Sequence, residues 1–366
     1  MVSDPIFFQP NRVWRCYLGG ALLDKFTGRG AGADDYFPED WLASVTRAIN
    51  GEHSQGPDEG LARTLTPDGQ DGPFLARMLE SDPEGLLGAA HVAKYGRSSA
   101  LLCKYLDSAV RLPIQCHPDR QTARTLYDSS YGKAESWTIL DSRPIDGEQP
   151  YLLMGFRPGV SAKEFARTVR EQDIPAMVSM LHKIPAEVGK TYMVPGRLPH
   201  AIGPGVFMLE VQEPSDWVVQ PETQCAGTQL TERDMYGPLS PEQALEVFDY
   251  TGLTTEELTA RVACPPRSEI TASGGTIGEV IGSDKTDAFA LWRAEISGAG
   301  ELTVELPRAF GVIVVADGAG AMSWPGGDRQ IRRCDYFFQP AGLKSITYAA
   351  SGPQGLSLIL CLPPAS

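Results

Sequence analysis

Apolar positions change period several times before residue 264 and afterwards recur only as short runs. Between residues 5 and 50, short apolar pieces alternate with Gly19-Gly20, the glycines of 28–32 and Pro38, which predicts short strands and turns rather than helix. The polar stretch 52–72, rich in Gly, Asp and Pro, reads as loop. From Pro73 the spacing becomes helical, with Phe74, Leu75, Met78, Leu79, Leu86 and Leu87 recurring at three and four. Asp119 is placed to cap a short helix over 119–127. Ser161 with Glu164 forms a capping pair, and Pro175 opens a second helix bearing Met177, Met180 and Leu181. Two further helix starts fall at Ser240-Pro241 and at Thr254 with Glu257. Helical insertions are therefore expected over about 71–95, 161–184 and 240–262.

The remaining apolar runs predict strands, and in the last hundred or so residues they predict nothing else. Runs at 137–140 and 151–156 come first; those at 191–194 and 206–212 flank a turn carrying His200, a hairpin-like arrangement. After Cys264-Pro265-Pro266 come 289–296, 301–306, 311–316, 335–339, 345–348 and 356–362. Turns such as Asp317-Gly318 and Gly352-Pro353 between them suggest a small second barrel or sandwich. The reading is a mainly β chain, divided as 1–264 and 265–366.

Length and charge narrow the function. The 366 residues suffice for two units, and 42% apolar residues can fill their cores. A net charge of −14 argues against nucleic acid or an anionic membrane surface as the main partner. Seven scattered cysteines without a C-x-x-C read as reduced thiols. With no basic flank and apolar core at the start, and no apolar run long enough to span a membrane, the expected location is the cytoplasm.

Candidate chemistry begins at 115–119, Gln-Cys-His-Pro-Asp. Gln115 and His117 are two apart, so on a strand both leave from one face. Glu135 and His200 follow in separate blocks. Two imidazoles, a carboxylate and an amide oxygen suit Zn, Fe, Mn or Ni, with Zn the commonest. Lys133, two residues before Glu135, should share its face. Of the other histidines, His53 lies in the polar loop, and His91 and His182 fall in helical patterns. Residues 267–366 contain no histidine, so no comparable metal site is expected there.

The blocks Q-x-H-P-D (115–119), G-K-x-E-x-W (132–137), V-P-x-x-x-x-H-A-I-G-x-G (194–205) and E-x-Q-x-x-S-D (210–216) occur in the order found in type I phosphomannose isomerases. The chain resembles that family over residues 5 to about 220. The resemblance implies two cupin-like jelly-roll barrels and a divalent metal, zinc by expectation, held by Gln115, His117, Glu135 and His200. It implies an acid in the pocket at Glu210, an electrostatic aid at Lys133 and a pocket wall at Trp137. The implied activity is aldose–ketose isomerisation of mannose 6-phosphate and fructose 6-phosphate through a cis-enediol.

Part of the family's phosphate site is missing. Gln220 stands where the family has an arginine, Pro113 where it has a serine, and 221–227 holds no basic residue. Arg197, inside the His200 turn, is the cation placed best to substitute. Losing a guanidinium, a hydroxyl and an ammonium removes most of the charge-assisted bonds a phosphate dianion needs. Isomerisation of an unphosphorylated sugar, or metal-dependent sugar binding without catalysis, stand as alternatives.

Overall fold

The computed structural model describes residues 2–66, 68–272 and 274–366. Its architecture is mainly β and cupin-like. Six antiparallel strands form the sheet that carries the site, in the order Arg12–Val13, Glu39–Leu42, Leu102–Ser108, Val206–Gln212, Glu135–Ser142 and Thr191–Val194. A three-stranded sheet of His200–Ile202, Tyr151–Phe156 and Leu181–Pro185 packs on it, with Leu106, Ile139 and Met208 meeting Leu152, Met154 and Ile202.

Strand periodicity explains what faces the space between these sheets. Glu210 is paired with Lys104 on one side and Trp137 on the other. The intervening residues Cys103, Tyr105, Phe207, Leu209 and Val211 point the opposite way, into a core shared with Val312, Val314 and Phe338 of the C-terminal strands. Both faces of Leu102–Ser108 and Val206–Gln212 are thus covered, so these strands read as continuous runs instead of alternating.

Nine strands make the C-terminal sheet, seven in the order Arg267–Ala272, Gly275–Ile281, Ala290–Ile296, Leu356–Leu362, Gly311–Trp324, Ser345–Ala350 and Glu301–Glu305. Gly327–Arg332 and Tyr336–Gln339 pair with the long Gly311–Trp324 strand. Early segments lean on this sheet: Ile6 N donates to Phe338 O at 2.9 Å, and Ala341 N donates to Leu86 O at 2.9 Å.

Several expectations need correction. Residues 5–50 contain a helix, Ala21–Thr27. Its amino end is held by a distant carboxylate, with Leu22 N donating to Asp107 Oδ2 at 2.7 Å, a capping partner that local sequence does not reveal. The 52–72 loop contributes the paired strands Arg63–Leu65 and, at its end, Asp71–Phe74. The 71–95 insertion is three helices, Leu75–Ser81, Pro83–Leu87 and Ala89–Tyr95, interrupted at Asp82 and Gly88. The second insertion stops at Ser179, and Leu181–Pro185 is a strand that carries His182. The third is the two helices its two starts predict, Pro241–Glu246 and Thr255–Val262, but an unforeseen one, Glu232–Tyr236, precedes them. The His200 turn is no hairpin, because Thr191–Val194 and Val206–Gln212 lie on opposite sides of Glu135–Ser142. Among the described residues no helix is long and apolar enough to cross a membrane.

Candidate metal centre and active-site cavity

Backbone bonds bring the two imidazole segments together. Gln115 N donates to His200 O at 2.8 Å, His200 N to Gln115 O at 2.9 Å, and Arg197 N to His117 O at 2.7 Å. The His200 turn is stitched to the Gln115 segment at both ends, as its aim at that segment requires. Glu135 enters from the neighbouring strand. One ligand atom from each of His117, Glu135 and His200 lies within 4.8 Å of the others, and all three residues are buried.

The ring orientations fit a metal. His117 Nδ1 is 2.8 Å from Trp217 O and His200 Nδ1 is 2.8 Å from Leu198 O. A carbonyl only accepts, so each Nδ1 carries the hydrogen and each Nε2 keeps a lone pair on the Glu135 side, that of His117 accepting from Lys133 Nζ at 3.2 Å. His200 Nε2 has no hydrogen-bond partner among the described residues. Glu135 Oε1 lies 2.8 Å from Lys133 Nζ and 3.1 Å from His117 Nε2, yet neither contact has the alignment of a hydrogen bond. Buried donor atoms without aligned partners, converging on one point, are what a cation-binding cluster leaves. Burial and then Lys133 lower the His117 pKa; burial and then His117 lower that of His200 to about 3. Both rings are therefore neutral and able to ligate.

The cluster opens into a cavity of about 510 Å³ that Gln115, Lys133, Trp137 and Glu210 also line. Trp137 is buried and meets the His200 ring edge-on at 5.3 Å. Behind these runs a chain of charges. Lys104 Nζ lies 3.3 Å from Glu210 Oε2 and 3.6 Å from Glu39 Oε1, and Arg15 reaches Glu39 at 3.1 Å and Asp216 at 3.3 Å. Burial, then the Glu135 carboxylate, raises the Glu210 pKa well above the usual carboxylate range, with Lys104 opposing. Sequence reading missed Arg15, Glu39 and Lys104. A lysine inside the apolar run 101–106 was the available signal, since a buried charge requires a partner.

At the mouth, His53 is exposed, as its place in the polar stretch predicts, and stacks on Trp14 with ring centroids 4.0 Å apart. Arg233, on Glu232–Tyr236, also lines the cavity, and among the described residues it is the wall cation with no ion pair. His91 and His182 lie elsewhere, each with a ring nitrogen on a backbone carbonyl, Ser98 O and Leu253 O respectively.

Comparison with known proteins gives the same direction. No family model matches the chain. A Bacillus subtilis protein assigned as a mannose-6-phosphate isomerase is 24% identical over 350 residues, covering 95% of this chain and 96% of the relative. A second Bacillus subtilis mannose-6-phosphate isomerase is 32% identical over 219 residues, covering 59% of this chain and 60% of the relative. The crystal structure of a mannose 6-phosphate isomerase from Bacillus subtilis superposes with a TM-score of 0.72 at 21% identity, over 98% of this chain and 99% of that one. The chain is thus similar to mannose-6-phosphate isomerases in sequence, and shares the fold of one of known structure.

Gln220 Nε2 donates to Asp234 O at 3.1 Å and Gln220 N donates to Met235 O at 2.8 Å, so this residue holds the Glu232–Tyr236 helix in place. The expectation for Arg197 does not hold geometrically. Its φ is 71°, and its guanidinium turns away from the cavity to the carbonyls of Val247 and Glu246, each at 3.2 Å, where Pro241–Glu246 ends. A cation satisfying the last carbonyls of a helix is already employed.

Proposed function

We propose that the chain is a metal-dependent aldose–ketose isomerase that interconverts mannose 6-phosphate and fructose 6-phosphate. The observation that carries this reading is the pair of Nε2 lone pairs of His117 and His200 facing the Glu135 carboxylate at the cavity floor. His117, Glu135 and His200, with Gln115 as the fourth, would hold zinc or another divalent transition metal. Such a metal supplies a Lewis acid for the two oxygens between which the carbonyl migrates.

The residues around it do the rest. Glu210, on the wall beside Trp137, is the candidate group that moves a proton between C1 and C2 through a cis-enediol. A carboxyl whose pKa is raised by its surroundings can return a proton as well as accept one. The Lys133 ammonium, 2.8 Å from Glu135, sits where negative charge develops on the sugar oxygens. Trp137 offers a flat apolar wall to the C–H face of the sugar. The distal end of the substrate points to the mouth, where Arg233 replaces Arg197 as the candidate phosphate contact and Gln220 positions its helix.

A second reading rests on the charge pairing itself. Arg15, Lys104 and Lys133 are each held by carboxylates, which among the described residues of the cavity wall leaves one free guanidinium for a dianion and favours an uncharged sugar. Kinetics on mannose 6-phosphate against mannose separates the two. A lower KM for the phosphorylated sugar supports the first reading, and equal or better turnover of mannose supports the second.

A further inference from the structure

Resting on the reading of His117, Glu135 and His200 as metal ligands, we infer that Glu213 is a positioning residue, whose carboxylate braces the segment carrying Glu135 against the segment carrying His117. Glu213 directly follows the Val206–Gln212 strand and is 2% exposed. It holds both backbone groups of Ala134, the residue before Glu135. Glu213 N donates to Ala134 O at 3.1 Å, and Ala134 N donates to Glu213 Oε2 at 3.1 Å. The other carboxylate oxygen, Oε1, accepts from Arg120 Nε at 2.5 Å. Arg120 lies three residues past His117 and opens the Arg120–Tyr127 helix, which Asp119 caps by accepting from Thr122 N at 2.7 Å. One carboxylate therefore spans the two ligand-bearing segments, with one oxygen committed to each.

Other contacts fix the start of the 132–135 segment. Lys133 N donates to Pro118 O at 2.9 Å, and Ser215 Oγ donates to Gly132 O at 2.5 Å. A Cβ at Gly132 would lie 2.7 Å from Pro118 O, so backbone packs directly on backbone there. Glu213 then fixes Ala134, the last residue before the ligand. Its bond to Arg120 is charge-assisted, and Arg120 Nη1 also donates to Asp287 Oδ1 at 3.0 Å, which steadies the guanidinium from the C-terminal strands' side. His117 Nε2 and Glu135 Oε1 stand 3.1 Å apart at the end of this brace. Ligand atoms must be held to within about 0.5 Å of a productive geometry, so slack between the two segments is expressed as lost metal affinity.

Zn²⁺ is titrated into the stripped full chain in competition with a chromophoric chelator, for the native sequence, E213A, R120M and the double variant. E213A and R120M should each weaken Zn²⁺ binding by about ten- to a hundredfold. The double variant should bind no more weakly than E213A, because both substitutions break the same brace. Should E213A fail to fold, R120M decides alone, since Arg120 is only partly buried. Native Zn²⁺ affinity in a folded E213A or in R120M overturns the proposal even if thermal stability falls, as do additive losses in the double variant. A native chain that binds no Zn²⁺ refutes the metal centre itself, and the brace with it.

Discussion

Lys104 and Glu210 are cross-strand partners whose charged atoms lie 3.3 Å apart, each residue about as buried as the hydrophobic core around it. An ion pair sealed this way contributes little net stability, but losing one partner strands the other. K104M should therefore lower unfolding stability by about 3–5 kcal/mol, and the double variant K104M/E210Q should recover most of that loss. Urea unfolding of both variants checks the coupling. A double variant as unstable as K104M alone would show that Lys104 acts through Glu39.

Glu39 predicts a pH dependence. Burial by itself would raise its pKa, but Arg15, then Lys104, then hydrogen bonds from Trp41 and Tyr17 bring it from 4.5 down to about 2. A depressed carboxyl contributes stability that is fully present above 4.5 and is lost as the pH falls toward about 2. The contribution is on the order of 3 kcal/mol. Unfolding free energies measured between pH 5 and pH 2 should fall more steeply for the native chain than for E39Q. Parallel curves would refute the assignment.

Arg233 predicts a split in kinetic constants. A single charge-assisted contact contributes about 1.5–3 kcal/mol, so R233Q should raise the KM for mannose 6-phosphate by roughly ten- to a hundredfold. The kcat should stay near that of the native chain, and mannose should be unaffected. A fall in kcat without a change in KM would place Arg233 outside the phosphate contact. Q220R should lower the KM only in part, because Pro113 offers neither hydroxyl nor N–H.

The parts of this molecule that could be read from its sequence are those fixed by local spacing. His117, Glu135 and His200 each sit in a compact block, and the structure brings those blocks together. The strand-only pattern after residue 289 likewise became a sheet. What escaped depends on partners far along the chain. The Ala21–Thr27 helix is capped by Asp107, Lys104 is neutralised by residues on two other strands, and Arg233 reaches the cavity through the hold of Gln220 on its helix. Arg197 misled for a backbone reason, since a positive φ redirects its side chain.

The imidazoles predict metal retention. Removing one of two neutral nitrogen donors from a buried set opens it, so H200A should lose most of its bound metal under mild chelation while the native chain keeps about one equivalent. Elemental analysis after desalting reads the result. Full occupancy in H200A would exclude this cluster as the site.

The central claim is tested most directly by following mannose 6-phosphate with a coupled fructose 6-phosphate assay while Zn²⁺ is titrated into the stripped protein. The account predicts no turnover without metal, activity that saturates at one equivalent, and loss of that activity in E210Q at full metal occupancy. Turnover that is equal with and without metal would contradict it, as would a fully loaded protein that isomerises neither mannose 6-phosphate nor mannose.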